Sequence, residues 1–425
     1  MGELRPRTNR AKAPPARSGL IAALDVGSSK IACIIGRAEA GGLKVLGSSV
    51  HESQGVRSGA VTSLELAEDS IRETVEVAER LADHRIQDVI LSVQCGQPKS
   101  ITARAERTLG GALIGDAQLR DVLAEGKRNC REAGYETIQA APCGYVVDQS
   151  RGVRDPRGMF CDRLGVTVHA VAVRAGPLQN LRLAVERCHL TIARQIYAPY
   201  ASALATLAPD EMSLGSILID FGAGVTSIAV FMEDALVHVD SVPIGGAHVT
   251  SDIARMFSTP LGAAERIKTL YGSALGDHEN GTDMIEVPQM GEEGEETGQR
   301  IKRSLLTRVI QSRMEEILSH VRDRLRESGF DVAVGRRAVL TGGGCQLAGV
   351  HELSGRILNK QVRVARPQTI PGLAAATAGP AYSTVLGLLI AGATTAPEAL
   401  DPLAGVELKT QKRGFSRLLA SSLFG

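Results

Sequence analysis

Short apolar runs alternate with amphipathic stretches along most of this chain, and the alternation predicts strands and helices in turn. Apolar runs at 20–24, 31–36 and 88–93 predict strands, with a possible further strand at 43–48. Residues 62–81 place an apolar side chain at every third or fourth position, with Glu and Arg between, which predicts a helix buried on one face. Such alternation is typical of an α/β domain with a partly parallel sheet.

Residues 101–182 differ in character, because their apolar runs are short and Gly and Pro separate them. The predicted elements are one helix and three strands, at 116–133, 138–141, 145–148 and 165–173. We interpret this region as a small α+β insertion. A helix at 177–188 then returns the chain to the first domain.

The second half repeats the α/β pattern. It predicts strands at 216–220, 226–231, 235–242 and 338–341, and helices at 247–257, at 301–325 and from 348 onward. The polar, glycine-rich and acidic stretch 272–298 predicts a mobile loop or an edge hairpin. Residues 392–411 lose the periodicity, as a linker does, and a last short helix closes the chain.

Composition narrows the class of protein. A chain of 425 residues is too long for one ordinary core, so two or more domains are expected. Hydrophobic residues make up 44% and charged residues 22%, which is typical of a soluble globular protein. Trp is absent, aromatic residues are 3% and the net charge is +1, so we expect no nucleic-acid partner.

The cysteines and the chain ends narrow it further. The seven cysteines form no CxxC pair or zinc-type cluster, which indicates reduced, buried thiols. Residues 1–18 carry five basic residues and three prolines, a pattern that predicts a disordered basic tail and not a signal peptide. The most apolar stretch, 385–393, is far shorter than the roughly 20 residues that span a bilayer. The protein is therefore expected to be soluble or peripherally attached.

Two distant stretches, Leu24–Lys30 and Ile219–Thr226, share one design. In each, an apolar run ends in an aspartate, a glycine-containing turn follows, and a second apolar run begins. The pattern predicts a β-hairpin whose tip lets backbone N–H groups approach a phosphate, beside an aspartate that can hold hydrated Mg²⁺. Asp and Gly are also ordinary turn residues, so one such hairpin alone would indicate a plain turn.

Two such hairpins, each opening its own α/β unit, predict a duplicated fold that holds a nucleotide from both sides. Asp25 and Asp220 are expected to hold the metal through water. The residues expected to hold the phosphates are Gly27, Ser28, Ser29, Lys30, Gly222, Ala223, Gly224, Val225 and Thr226.

A third candidate element is the buried strand Ala338–Thr341, which runs into Gly342, Gly343 and Gly344 before a predicted helix. Consecutive glycines let the backbone pass close to a bulky ligand, and a helix N-terminus attracts anions. A tight strand-to-helix loop is the alternative.

These three elements, in this order over most of residues 19–391, resemble the actin/Hsp70/hexokinase ATPase superfamily, an α/β fold of two lobes. Thr341–Gly344 is similar to its adenosine motif, and Gly246 to a glycine near the nucleotide. Within the superfamily the chain resembles the FtsA family of actin-like bacterial cell-division proteins. Three sets of features carry this resemblance: Pro142–Asp148 with Gly152–Gly158, Val249–Ala254 with Ala274–Pro288, and the terminal linker with its short basic helix.

The resemblance implies the division of the chain and the ligand. The implied parts are a basic tail (1–18), a first lobe (19–100, 183–208 and 366–391), an inserted subdomain (101–182), a second lobe (209–255 and 336–365), its outer subdomain (256–335), a linker (392–411) and a membrane-targeting amphipathic helix (412–425). It implies ATP and Mg²⁺ as cofactors, and it adds Gln311 to the expected nucleotide contacts. Turnover is expected to be slow at most, because Ile196–Ala201 lacks the Gln or Glu that positions the attacking water in actin-like proteins.

The last residues predict a membrane anchor. Phe415, Leu418 and Leu419 share one helical face, and basic residues border it. The residues expected to contact the membrane are Lys412, Arg413, Phe415, Arg417, Leu418, Leu419, Leu423 and Phe424. A helix docked on its own protein is the alternative.

Taken together, these features lead to the hypothesis of an ATP-binding, polymerising adaptor that ties the FtsZ ring to the cytoplasmic face of the inner membrane at the division septum. The expected partners are the FtsZ C-terminal peptide at Arg308, Arg313 and Glu316, further copies of the chain, anionic phospholipid, and later division proteins through the insertion. A pilus-assembly adaptor of the PilM kind and a small-molecule kinase of the same fold are the alternatives. A kinase needs a general base over its substrate, and no candidate is found.

Overall fold

The computed structural model describes residues 19–39, 42–276, 283–291 and 298–394. Its strands are β1 (Gly19–Val26), β2 (Lys30–Glu39), β3 (Gly42–Glu52), β4 (Val56–Arg57), β5 (Ala60–Val61), β6 (Asp88–Val93), β7 (Lys99–Leu113), β8 (Tyr135–Val147), β9 (Ser150–Val153), β10 (Phe160–Arg174), β11 (Thr191–Tyr197), β12 (Ser216–Phe221), β13 (Thr226–Met232), β14 (Ala235–Val242), β15 (Met284–Val287), β16 (Gln299–Lys302), β17 (Arg337–Thr341) and β18 (Gln361–Val364). Its helices are α1 (Leu64–Ala82), α2 (Asp116–Asn129), α3 (Ala175–Arg187), α4 (Ala198–Thr206), α5 (Pro209–Leu214), α6 (Gly246–Phe257), α7 (Leu261–Tyr271), α8 (Arg303–Glu327), α9 (Phe330–Ala333), α10 (Val350–Leu358) and α11 (Ser383–Ala393).

The first lobe is built on a five-stranded sheet with the order β11-β6-β1-β2-β3. Strands β1, β2 and β3 form an antiparallel meander, whereas β6 and β11 run parallel to β1. Helix α1 begins after Ser63, whose hydroxyl accepts the Leu66 N–H, and it buries Ile71, Val75 and Ala78. The partly parallel sheet and the first amphipathic helix are confirmed.

The second lobe repeats this plan in a sheet with the order β14-β13-β12-β17-β18. Strands β12, β13 and β14 form the antiparallel meander, and β17 and β18 run parallel to β12. Because side chains alternate along a strand, Ile217 and Ile219 join the core under α6, α8 and α10, whereas Leu218 joins the core shared with the first lobe. Asp220 lies on the Leu218 side, toward the first lobe.

Helices α4 and α11 cover the remaining face of the first sheet. They cross in direct backbone contact, since a Cβ added to Gly387 would lie 1.7 Å from the Ala201 carbonyl oxygen. The apolar run predicted to be too short for a membrane span is α11 itself, packed in this core. Among the residues that the structure describes, no helix is long and apolar enough to cross a bilayer.

The inserted region forms a separate four-stranded antiparallel sheet with the order β7-β10-β8-β9, covered by α2. It rests on β14, the edge strand of the second lobe. Arg154 forms an ion pair with Asp234 at 2.7 Å, and the Ser100 hydroxyl contacts His169 Nε2 at 2.7 Å while it accepts the Val239 N–H at 3.4 Å. Burial lowers the pKa of His169 to about 4, so this contact is uncharged at neutral pH. The insertion thereby covers a sheet edge that would otherwise be open to other strands.

The structure corrects several predicted elements. The two strands expected at 138–141 and 145–148 are one strand, β8, which continues through Pro142 at a bulge in its pairing with β10. Strand β7 and helix α7 were not predicted. Met284–Val287, in the stretch 272–298, pairs with Gln299–Lys302 just after it as an antiparallel hairpin, so the edge-hairpin alternative is confirmed for the described part and the helix predicted at 301–325 begins at Arg303. The basic tail and the predicted terminal helix lie outside the described residues.

An ion pair between the buried Glu211 and the partly exposed Arg363 fastens the second lobe to the end of α4. Glu211 is 4% exposed, and Arg363 donates to its Oε1 at 2.7 Å and to the Thr206 carbonyl at 2.9 Å. The Arg363 hydrogen bonds hold the pKa of Glu211 below its ordinary value. This carboxyl therefore contributes stability above about pH 4.5, and the contribution is lost on acidification.

Candidate nucleotide site

The first candidate element is the hairpin between β1 and β2. The Gly27 N–H donates to the Lys30 carbonyl at 3.1 Å, which closes the turn. A Cβ at position 27 would lie 2.9 Å from that same oxygen, so a glycine is required there. Asp25 stands two residues before the turn, at the end of β1.

The second hairpin, between β12 and β13, has the same construction. The Gly222 N–H donates to the Val225 carbonyl at 3.0 Å, and a Cβ at 222 would lie 2.7 Å from that oxygen. Asp220 again stands two residues before the turn. Both sequence stretches therefore form the hairpins that were predicted.

The two hairpin tips meet across the gap between the lobes. A Cβ at Gly224 would lie 2.8 Å from the Ser58 backbone and 2.9 Å from Ser28 Oγ. Ser28 Oγ in turn accepts the Gly59 N–H at 2.8 Å. The structure thus brings together the small residues of both predicted phosphate-binding turns.

Beside these turns, Asp220 is buried, with 5% of its surface exposed, and Asp25 is partly buried. Ser92 Oγ donates to Asp25 Oδ1 at 2.6 Å, and Ser202 Oγ donates to Asp220 Oδ2 at 2.7 Å. Burial raises the pKa of Asp25, and it raises the pKa of Asp220 to about 6, each against the opposing effect of its serine. Desolvation is the larger influence on both carboxyls.

Lys30 is near enough to both carboxyls to interact with them electrostatically. Burial lowers the pKa of its ammonium, and the charges of Asp25 and Asp220 oppose that change. The ammonium also sits over the Tyr382 ring, 4.7 Å from its centroid. When both carboxyls are ionised, the cluster carries a net charge of −1 in a desolvated place, which favours an additional cation.

The chemistry of these donors fits hydrated Mg²⁺ better than a metal held by protein alone. Among the described residues, no group of three or more His, Cys, Asp or Glu side chains converges on one metal position. Mg²⁺ usually keeps several waters and is bound by one or two carboxylates together with substrate phosphates. Asp25 and Asp220 supply that kind of partial shell.

The third predicted element, Gly342–Gly344, lies directly against Asp220. The register of β12 and β17 pairs Asp220 with Thr341. Gly342 has a φ of +85°, and a Cβ there would lie 2.4 Å from Asp220 Oδ1. Glycine is therefore needed at 342 for both its backbone conformation and its lack of a side chain.

The helix expected from residue 348 begins two residues later. A 3₁₀ turn over Gly343–Gln346 follows the glycines, and α10 begins only at Val350. A Cβ at Gly349 would lie 2.9 Å from the Leu275 N, so the start of α10 is packed against Leu275. The predicted order of strand, glycine turn and helix is therefore present, and the binding of an anion at this helix end stays a prediction.

The start of α6 is fixed to the second hairpin. The Gly246 N–H donates to the Gly222 carbonyl at 3.0 Å, and the Ala247 N–H donates to the Ala223 carbonyl at 2.8 Å. A Cβ at Gly245 would lie 2.4 Å from the Gly222 oxygen. Gly246 therefore lies beside the phosphate-type turn, as its predicted nucleotide contact requires.

Some residues at this site escaped sequence reasoning. Lys268 of α7 donates to the Gly246 carbonyl at 3.2 Å and to Thr250 Oγ1 at 2.8 Å, and its side chain is only 15% exposed. The available signal was the pair Glu265 and Lys268, three residues apart on a helix that was not predicted. The other residues missed in this way are Ser92, Ser202, Tyr382 and Thr384, single polar residues in apolar surroundings.

Gln311 and the residues predicted to bind the FtsZ peptide all lie on α8. Gln311 lies on α8 and donates to Glu315 at 2.8 Å, and no contact among the described residues links it to the hairpins. Arg313 donates to Asp252 at 2.6 and 3.0 Å and to Glu316 at 2.6 Å, so two of the residues predicted to bind the FtsZ peptide already pair with each other.

Arg308 faces a surface cavity instead. Arg313 comes five positions later on α8, which places the two arginines about 140° apart around the helix. The cavity has a volume of about 520 Å³ and is lined by Met284, Gln299, Arg300, Ile301, Lys302, Ser304, Leu305 and Arg308. Three cations and exposed apolar side chains thus share one concave surface beside the β15–β16 hairpin.

Two lobes of one plan, closed over paired hairpins, define an actin-like protein. Solved structures with this fold include MreB5 of Spiroplasma citri bound to ADP, with a TM-score of 0.53, 12% identity and coverage of 88% of this chain and 95% of that chain. The PilM-PilN type IV pilus biogenesis complex has a TM-score of 0.62 and 17% identity over 90% of this chain and 100% of that chain. These likenesses show the fold.

Sequence relatives show the family. The model of the cell division protein FtsA matches residues 217–387, and that of the SHS2 domain inserted in FtsA matches residues 95–172. The FtsA protein of Agrobacterium fabrum is 40% identical over 385 residues, which cover 88% of this chain and 87% of the relative. The Escherichia coli K12 protein is 31% identical over 383 residues, covering 87% and 89%. This chain belongs to the FtsA family of cell-division proteins, and the resemblance found in the sequence is confirmed.

The contact between α6 and the second hairpin gives a test of the site's construction. Gly245→Ala is expected to lower the free energy of unfolding by about 1–3 kcal/mol, because the new methyl group overlaps the Gly222 oxygen. Gly262→Ala in α7 is the matched control: its Cβ meets nothing within 4 Å, and alanine favours a helix by up to about 1 kcal/mol. Urea midpoints measure both. Equal midpoints for the two variants would contradict the packing described.

Proposed function

We propose that this protein is a nucleotide-dependent adaptor of bacterial cell division that binds ATP–Mg²⁺ between its lobes and ties the FtsZ ring to the cytoplasmic face of the membrane at the septum. The observation that carries the nucleotide part is the arrangement of Asp25, Lys30 and Asp220 beneath two contacting glycine turns. Membership of the FtsA family supports the division part.

In this proposal the chain's own groups bind and orient the nucleotide. The turns Gly27–Lys30 and Gly222–Thr226 hold the phosphates through backbone N–H groups other than those of Gly27 and Gly222, which close the turns, and Asp25 and Asp220 hold metal-bound water. Gly246 and Gly342–Gly344 lie where adenosine contacts are proposed, and Lys268 adds a cation beside Gly246. Bound magnesium would offset the buried negative charge and the phosphate charge. Hydrolysis is proposed to be slow.

Asp220→Asn tests the nucleotide part. The amide keeps the size of the side chain but removes the charge that would attract the metal, so Mg²⁺-dependent ATP affinity should fall at least tenfold. Asp88→Asn, at an exposed position at the start of β6, is the control and should bind as wild type. Calorimetry with and without Mg²⁺ measures both affinities. Wild-type affinity in Asp220→Asn would refute the assigned metal role.

The 520 Å³ cavity is the proposed docking place of the FtsZ C-terminal peptide. Arg300, Lys302 and Arg308 give it positive charge, and Met284 (50% exposed) and Leu305 (38% exposed) give it apolar surface. Such a surface suits a peptide that is both acidic and hydrophobic. We therefore keep Arg308 as a proposed contact, whereas Arg313 and Glu316 are proposed to hold α8 against Asp252.

Charge reversal separates these roles. Arg308→Glu should weaken peptide binding at least tenfold, since a buried or close charge pair changes sign. Arg326→Glu, near the exposed end of the same helix, is the control for net charge. Fluorescence anisotropy of a labelled FtsZ C-terminal peptide gives both dissociation constants. Undiminished binding by Arg308→Glu would move the peptide site away from this cavity.

Membrane attachment is proposed from the sequence of residues 412–425, which lie outside the described residues. Each deeply buried Phe or Leu contributes roughly 1.5–3 kcal/mol, and each basic residue about 1 kcal/mol on anionic lipid. Ordering the segment costs about 1–2 kcal/mol per residue, so one copy binds weakly. An array of copies in a filament would bind firmly through avidity, so polymerisation and attachment are proposed to be coupled.

Leu419→Glu tests the anchor. The carboxylate would enter the lipid tails and be repelled by anionic headgroups, so liposome flotation should be lost, as in a chain ending at Lys409. High salt should weaken wild-type flotation only in part, because it screens the charges but not apolar burial. Equal flotation of all three proteins would show that the helix is not the anchor.

The two alternatives differ from this proposal in identifiable ways. The structural likeness to PilM reflects the shared fold, whereas the sequence relatives named above are FtsA proteins. A kinase would need a general base over a second substrate. The inserted subdomain, matched to the SHS2 domain of FtsA, is proposed instead as the surface that recruits later division proteins.

A further inference from the structure

The start of α4 lacks a side chain that could orient a water molecule. Its first turn is Ala198, Pro199, Tyr200 and Ala201, with no carboxyl or amide group. If the proposed nucleotide site hydrolyses ATP at all, another residue must hold the attacking water. The inference below therefore rests on the proposed function.

Gln94 reaches the site from a different element. It follows β6, two residues after the Ser92 that donates to Asp25. Its Nε2 donates to Ser227 Oγ at 3.1 Å, and it lies 3.8 Å from the Cβ position of Gly222. The hairpin register pairs Ser227 with Asp220. The side-chain amide of Gln94, which belongs to the first lobe, thus reaches the second hairpin at the strand position where Asp220 lies.

A second observation points to a water at this place. Tyr197 is 1% exposed, and its hydroxyl is buried with no hydrogen-bond partner among the described residues. Burial raises the pKa of this phenol and the charge of Asp240 adds to the rise, whereas the nearby Ser227 hydroxyl lowers it. Buried polar groups left unpaired by the protein are usually satisfied by ordered water.

We propose that Gln94, with Ser227 and Tyr197 beside it, positions the water that attacks the terminal phosphate, in place of the side chain missing from α4. The amide nitrogen is held by Ser227, so the amide oxygen is the group that accepts a hydrogen bond from the water. The Tyr197 hydroxyl provides a second contact that orders it.

The chemistry of this arrangement explains a slow reaction. The water oxygen forms a bond to the terminal phosphorus, the bond from that phosphorus to the bridging oxygen breaks, and ADP leaves with the electron pair. The proton lost by the water passes to phosphate or solvent, because an amide orients a water molecule but does not remove its proton. The site would therefore position the attacking water but provide no general base to take its proton.

Single-turnover hydrolysis at saturating ATP–Mg²⁺ tests the proposal, with ATP affinity measured in parallel. Gln94→Leu should lower the hydrolysis rate at least tenfold while the dissociation constant for ATP changes less than threefold. Gln94→Glu, which restores an acceptor oxygen at the same reach, should keep at least a third of the wild-type rate. Gln87→Leu, at an exposed position just before the same strand, should match wild type.

Tyr197→Phe tests whether the Tyr197 hydroxyl acts in hydrolysis or only stabilises the fold. Removing a hydroxyl with no protein partner should leave the thermal midpoint unchanged or higher, yet the hydrolysis rate should fall. Equal hydrolysis by wild type and Gln94→Leu would overturn the inference, and so would a parallel loss of affinity and rate, which would make the Gln94–Ser227 bond a structural link. If the wild-type protein binds ATP but does not hydrolyse it, the inference about Gln94 is overturned and the proposed nucleotide binding stands. Wild type that binds no ATP would overturn the proposed function with it.

Discussion

The arrangement of the two lobes depends on removing the Asp25 and Asp220 carboxyls from water near Lys30. Removing a carboxylate from water costs several kcal/mol, and the cost is offset only by good hydrogen bonds and a nearby opposite charge. Ser92 and Ser202 supply the hydrogen bonds, and Lys30 supplies the charge. One ammonium does not balance two ionised carboxylates, which supports the proposed magnesium ion.

Satisfying this cluster dictates the surrounding packing. Gly342 must lack a side chain because Asp220 Oδ1 occupies the space, and Ser202 must come from α4, which lies between the first sheet and the second hairpin. Ser202 also contacts Thr384 at 2.9 Å, which ties α11 to the same carboxylate. Asp220 is therefore the point where the two lobes, the two hairpins and α11 come close together.

The surface that faces partners is built differently from this centre. At the cavity beside β15 and β16, cations and apolar side chains lie together and partly exposed, whereas Arg313 on the neighbouring face of α8 is engaged by Asp252. The periodicity of α8 shows only that Arg308 and Arg313 are polar residues of the helix. The distinction between a structural arginine and one open to a ligand comes from what packs against each face.

The sequence by itself determined the features whose causes are local. A turn closed as between Gly27 and Lys30 needs a glycine at its first position, so both hairpins and the helix α1 were readable from residue type and spacing. Strand β8 was divided in the prediction because Pro142 usually ends a strand, and only pairing with β10 at a bulge lets it continue. Ser92, Ser202, Gln94 and Tyr197 looked like isolated polar residues, because their partners lie far away along the chain. Tertiary structure alone decided their surroundings, since the group packed against a buried hydroxyl or amide is set by folding and not by its neighbours in sequence.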